Sequence, residues 1–175
     1  MKTIVIYCSK TGFTRRYADL LASALQCECA AFEERQDVDL NAYDCVIFGS
    51  WVCAGAIQQV KWFKKQIQAL KGKRLIAFAV GATPVGAEDA VRKIFEQNFS
   101  AEERSSVDVF YLQGGLNYER MGGAHKWLLR LLCRMLSGKK QRTPEEEGML
   151  QRLSKSFDAV DPKAIEPILQ AARRP

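Results

Sequence analysis

Ser9-Lys-Thr-Gly-Phe-Thr14 gathers three hydroxyls, one glycine and one lysine into six residues, after an apolar run at 3–8 and before an amphipathic run at 14–25. A turn from a strand into a helix collects backbone N–H groups at the positive end of the helix dipole, where a phosphate dianion is well held. The candidate donors are the hydroxyls of Ser9, Thr11 and Thr14 and the amides of Lys10, Thr11, Gly12, Phe13 and Thr14. Gly12 lets the backbone wrap closely around such an anion. The same residue types make ordinary helix caps, and composition alone leaves the two roles level. Two nucleotide motifs fit less well. A Walker loop ends in Gly-Lys-Ser/Thr, whereas Lys10 precedes Gly12 here, and the dinucleotide fingerprint needs three glycines. A monophosphate is the better ligand.

Metal chemistry has few ligands to draw on. The six cysteines stand at 8, 27, 29, 45, 53 and 133 without a Cys-x-x-Cys pair, and His125 is the sole histidine. No metal site is expected. Their number and scatter suit a reducing cytoplasm.

The elements that must position the loop follow from hydrophobic periodicity. The chain has 175 residues, 47% hydrophobic and 26% charged, enough for one domain with its own core. Residues 3–8, 27–32, 44–48, 74–80 and 107–112 read as strands, the third ended by Gly49-Ser50 and the fifth by Gly114-Gly115. Residues 14–25, 58–70 and 87–99 read as helices between them, with a charged loop after 32. Strands alternating with helices imply an α/β fold with a parallel sheet covered on both faces. Thr143-Pro144-Glu145-Glu146 signals a helix start, expected to run to about 157, and a short terminal helix follows Asp161-Pro162. The start Met1-Lys-Thr reads as the approach to a first strand, not a signal peptide, and no run is long enough to span a membrane. A single domain over 1–175 is expected, with a basic insert at 117–143.

The arrangement Ser-x-Thr-Gly-x-Thr resembles the FMN phosphate loop of the flavodoxin family, and with the strand pattern the resemblance covers essentially the whole chain. The pieces 7–15, Tyr43-Asp44, Val46-Ile-Phe-Gly-Ser50, Gly114-Gly-Leu-Asn-Tyr118 and the apolar-basic segment ending at Gly138 resemble most closely the branch containing flavodoxin-type, menaquinone-dependent protoporphyrinogen oxidase. The resemblance implies a five-stranded sheet of order 2-1-3-4-5, with FMN at the carboxyl ends of strands one and three. The ring would lie between the segment Ser50, Trp51, Val52, Cys53, Ala54, Gly55 and the loop Gly81, Ala82, Thr83 to Gly86. Trp51 is either a wall of that pocket or a core residue; Cys53 is either a flavin contact or small packing. The second loop has no aromatic residue, unlike that of many electron-carrier flavodoxins, and leaves room for a substrate or quinone.

The implied activity is that of an FMN-dependent oxidoreductase passing two electrons from an organic substrate, a tetrapyrrole by resemblance, to menaquinone or a comparable acceptor. No protein acid or base is nominated as catalytic, since the cofactor would carry the redox chemistry. Two alternatives stand beside it: a flavodoxin that only carries electrons between proteins, and a non-catalytic FMN-binding module.

The formal net charge of +6 has a location. Residues 117–143 hold seven basic residues and one acid, Glu119, and the rest of the chain holds 19 of each sign. Residues 124–137 read as a helix with Lys126, Arg130 and Arg134 in a stripe roughly 80° wide and an apolar arc around most of the rest. Lys139, Lys140 and Arg142 extend the charge. The arc is wider than one packed face needs, and an anionic membrane surface, a partner subunit or the terminal helix are the candidates to cover it. A cytoplasmic protein peripheral on the inner face of the membrane is the expectation drawn from the quinone acceptor. Nucleic acid does not suit so narrow a stripe.

Overall fold

The computed structural model describes residues 1–139, 141 and 143–174. Four strand pairs are parallel, in the order β2-β1-β3-β5-β6, with β1 Thr3–Cys8, β2 Glu28–Ala31, β3 Cys45–Cys53, β5 Arg74–Gly81 and β6 Asp108–Gln113. A short β4, Ala56–Ile57, folds back antiparallel on the end of β3. The order expected for the five long strands is therefore the one observed. This is a flavodoxin-like α/β fold.

Alternation along each strand feeds two cores. Ile4, Ile6, Val46, Phe48, Leu75 and Ala77 join one cluster, into which α2 (Val60–Ala69) sends Val60, Phe63 and Ile67 and α3 (Glu88–Asn98) sends Ile94. Val5, Ile47, Ile76, Phe78 and Val80 join the other, with Tyr17, Ala18 and Leu21 of α1 (Phe13–Leu25) and Ile168 and Leu169 of a C-terminal helix, Glu166–Arg173. Both faces of the sheet are thus covered by helices.

Several boundaries differ from the expectations. The third strand does not stop at Gly49-Ser50 but continues to Cys53. Gly49 is a packing glycine: a Cβ there would stand 2.0 Å from the ring tip of Phe78, its partner on β5. The charged loop after residue 32 contains two 3₁₀ turns, Phe32–Asp37 and Leu40–Ala42. A short α4, Ala101–Ser106, starts on a Ser100/Glu103 capping box.

Backbone proximity divides the chain into two compact units, Met1–Gly114 with Val160–Pro175, and Gly115–Ala159. The second holds β7 (Gly115–Leu116) paired antiparallel with β8 (Phe157–Asp158), and the helices α5 (Gly123–Ser137) and α6 (Pro144–Leu153). Gly115 therefore belongs to a strand rather than to a closing turn. The Thr143 capping box forms as expected, but the helix ends at Leu153 because Phe157 pairs with Leu116. Among the described residues no helix is long and apolar enough to cross a membrane.

Candidate functional site

The chain leaves β1 for β2 and leaves β3 for β5, on opposite sides of this neighbouring pair. Such a switch point opens a crevice at the carboxyl ends of the strands. Register places three segments along that edge: Cys8 pairs with Ser50, Ser50 with Ala79, and Gly81 with Gln113.

The first segment is the loop 9–12 running into α1. Gly12 is the N-cap residue, at φ 99°, a left-handed value that costs a residue with a Cβ roughly 1–2 kcal/mol. Ser9 Oγ accepts the Arg15 amide at 3.2 Å, so that hydroxyl caps the helix. Helix geometry leaves the amides of Phe13 and Thr14 without an intrahelical acceptor, and among the described residues they have no other. No acidic side chain occupies the first turn. Phe13 itself points into the core beside Tyr17 and Leu112. A Cβ on Gly114 would stand 3.1 Å from Phe13 Cβ and 2.6 Å from Val80 Cγ1, so the helix start is held against the end of β6. Tyr17 holds it too, donating its hydroxyl proton to the Gln113 carbonyl at 2.7 Å and accepting the Asp161 amide at 3.0 Å. Thr14 is 1% exposed and Phe13 9%; amides without an acceptor, the nearby Thr11 and Thr14 hydroxyls and no carboxylate in the first turn fit an anion.

The second segment is the hairpin of β3 and β4. Its two-residue turn is Ala54 (φ 49°) and Gly55 (φ 80°), both left-handed as such hairpins require. Val52 faces Ile57 and Cys53 faces Ala56 across it. Ser50 is fully buried and donates to the Gln58 carbonyl at 2.7 Å, so its hydroxyl fastens the hairpin. Trp51 is half-buried, and Lys10 Nζ stands 5.7 Å from its ring centroid, joining the hairpin to the first loop. Burial pushes the neighbouring Cys8 thiol up, against hydrogen bonds to Trp51 and Ser50 that draw it down.

Asn98, unremarked in the sequence, anchors this hairpin. It is buried; its Oδ1 accepts the Ile57 amide at 2.8 Å, and its Nδ2 donates to the carbonyls of Gly55 and Ile94, each at 2.7 Å. The available signal was an amide four residues beyond Ile94, on the apolar face of a helix.

The third segment is Gly81 and residues 82–86. Tyr111 donates to the Thr83 carbonyl at 2.9 Å, and Gly114 donates its amide to the Gly81 carbonyl at 2.8 Å. Burial raises Tyr111 to about 12, so it remains a donor through the neutral range. A Cβ on Gly81 would lie 2.7 Å from the Tyr111 hydroxyl oxygen. Ala82 is half-buried, whereas Val85 and Gly86 are exposed at the tip. Tyr111 was also missed, because it acts on a loop distant in sequence.

A family model described as "Flavodoxin domain" matches residues 4–143. No curated protein matches. Solved structures resembling the chain include a flavodoxin, WrbA-like protein from Agrobacterium tumefaciens, with 17% identity over 71% of this chain and 87% of that one, at TM-score 0.46. Oxidised flavodoxin 2 from Bacillus cereus has 22% identity over 65% and 84% of the two chains, at TM-score 0.45. A flavoprotein in complex with FMN from Lactobacillus acidophilus has 16% identity over 64% and 92%, at TM-score 0.41.

Proposed function

Because the chain belongs to the flavodoxin domain family, we propose that it holds FMN, with the phosphate on residues 9–14 and the ring between the hairpin 50–55 and the loop 81–86. The observation that carries this reading is the open N-terminus of α1 beside Trp51, bridged by Lys10. The Phe13 and Thr14 amides and the Thr11 and Thr14 hydroxyls bind the phosphate, and Gly12 gives the backbone its curvature. Ser9 and Ser50 hold the two loops in shape, and Trp51 offers an indole face to the ring. Tyr111 and Asn98 keep the flanking loops in place. When bound, FMN supplies one- and two-electron chemistry at its ring.

The finer proposal is an oxidoreductase resembling quinone-linked protoporphyrinogen IX dehydrogenase of heme biosynthesis. Each turnover removes two electrons and two protons from the substrate and passes them to a quinone. The loop 81–86 supports this over pure electron carriage, since Ala82, Thr83, Pro84 and Val85 offer no aromatic ring to cover the second flavin face. The test is anaerobic turnover of FMN-loaded protein with protoporphyrinogen and menaquinone. Substrate-dependent quinone reduction supports the enzyme; electron exchange with a flavodoxin reductase and no turnover would make it a carrier.

A further inference from the structure

We propose that α5, Gly123–Ser137, is a membrane-surface helix whose outward apolar face rests on anionic phospholipid. This does not rest on the flavin reading; it follows from where the helix places its side chains.

One side of α5 is occupied. Leu136 is buried, Cys133 Sγ lies 3.8 Å from the Leu153 carbonyl of α6, and Leu153 is itself buried. The other side is not. Trp127 and Met135 are each 65% exposed, Leu128 41% and Leu131 40%. The remaining exposed large hydrophobics among the described residues are Met1 and Val85, so one helix gathers most of them. At about 100° per residue, Trp127, Leu131, Met135 and Leu128 cover an arc of about 100°. Scattered exposed apolar residues are ordinary, but a contiguous row rimmed by charge marks a contact surface.

Charge selects the occupant. Arg134, Arg130 and Lys126 form the row beside Trp127, and α5 contains no acidic residue. Lys139 adds less than its position suggests, because it pairs with Glu146 at 2.5 Å; Lys140 and Arg142 lie outside the described residues. A second copy would bring the same all-basic helix, with no carboxylate on it to meet the row. An anionic bilayer satisfies both faces, taking the apolar arc into the acyl boundary and the cations among headgroup phosphates. Trp127 sits between arc and row, where an amphipathic indole suits the interface. The helix has 15 residues, or about 22 Å at about 1.5 Å each, short of the roughly 30 Å bilayer core; it lies on the membrane rather than across it.

Flotation of the full chain with phosphatidylglycerol/phosphatidylcholine vesicles tests this, against phosphatidylcholine alone. Binding is expected to the anionic vesicles only, to weaken with salt, and to shift Trp127 emission to the blue. Replacing Lys126, Arg130 and Arg134 by Gln should weaken partitioning about 100-fold, and Arg130→Gln alone about fivefold. Trp127→Ser with Met135→Ser should abolish it, with circular dichroism unchanged. No flotation, equal flotation with neutral vesicles, or indifference to the substitutions overturns the proposal. A concentration-dependent dimer lost in Trp127→Ser/Met135→Ser, without vesicle binding, would assign the face to a second copy and overturn it equally.

Discussion

Lys10 Nζ stands 5.7 Å from the centre of the Trp51 indole, although Lys10 follows β1 and Trp51 lies on β3. The contact arises because β1 and β3 are parallel neighbours with Cys8 opposite Ser50, so Lys10 and Trp51 both lie just beyond that paired level. It joins a surface suited to an anion to one suited to a flat ring.

If Trp51 forms a wall of the ring pocket, Trp51→Leu should raise the fluorescence of bound FMN above that of the native complex and weaken binding. Fluorescence titration of the two proteins checks this. Equal quenching would return Trp51 to a packing role.

Gly12→Ala should lose roughly 1–2 kcal/mol of stability, because φ 99° disfavours a Cβ. FMN affinity should fall with it, as the first-turn amides move. Urea unfolding with and without FMN separates the two effects.

Asn98→Ala leaves the Ile57 amide and the Gly55 and Ile94 carbonyls without that side chain, and should cost about 2–4 kcal/mol. The loss should exceed that of Tyr111→Phe, which removes one hydrogen bond and should cost about 1 kcal/mol. Denaturant midpoints give the comparison.

Burial raises Tyr111 to about 12, and the hydrogen bond to Glu28 raises Tyr43 to about 12, from an ordinary 10.0. The folded chain holds these protons where the unfolded chain releases them. Their contribution is therefore complete below pH 10 and is lost as pH rises from about 10 to 12. Unfolding midpoints should fall over that window, less steeply in Tyr111→Phe.

The sheet was legible in the sequence because strands buried on both faces, such as Ile4-Val-Ile6, leave continuous apolar runs. Gly12 was legible because loop and helix start are local. The end of β3 was not: Gly49 is there to make room for the Phe78 ring of another strand, and residues 50–53 go on pairing with β5 and β4. Phe157 misread as helix for the same kind of reason, its partner Leu116 lying far back in the chain. Ser9 takes the capping role, one of the two that composition left level, while the Phe13 and Thr14 amides have no acceptor among the described residues. Asn98 and Tyr111 support the site through distant contacts and carry only weak local signals.

Titration of the apoprotein into FMN decides whether residues 9–14 hold the cofactor. Saturable binding is expected, with a perturbed flavin absorption spectrum and a fluorescence change, lost together in a variant carrying Gly12→Ala and Thr14→Val. FMN absorbance and fluorescence unchanged by the folded protein would contradict it.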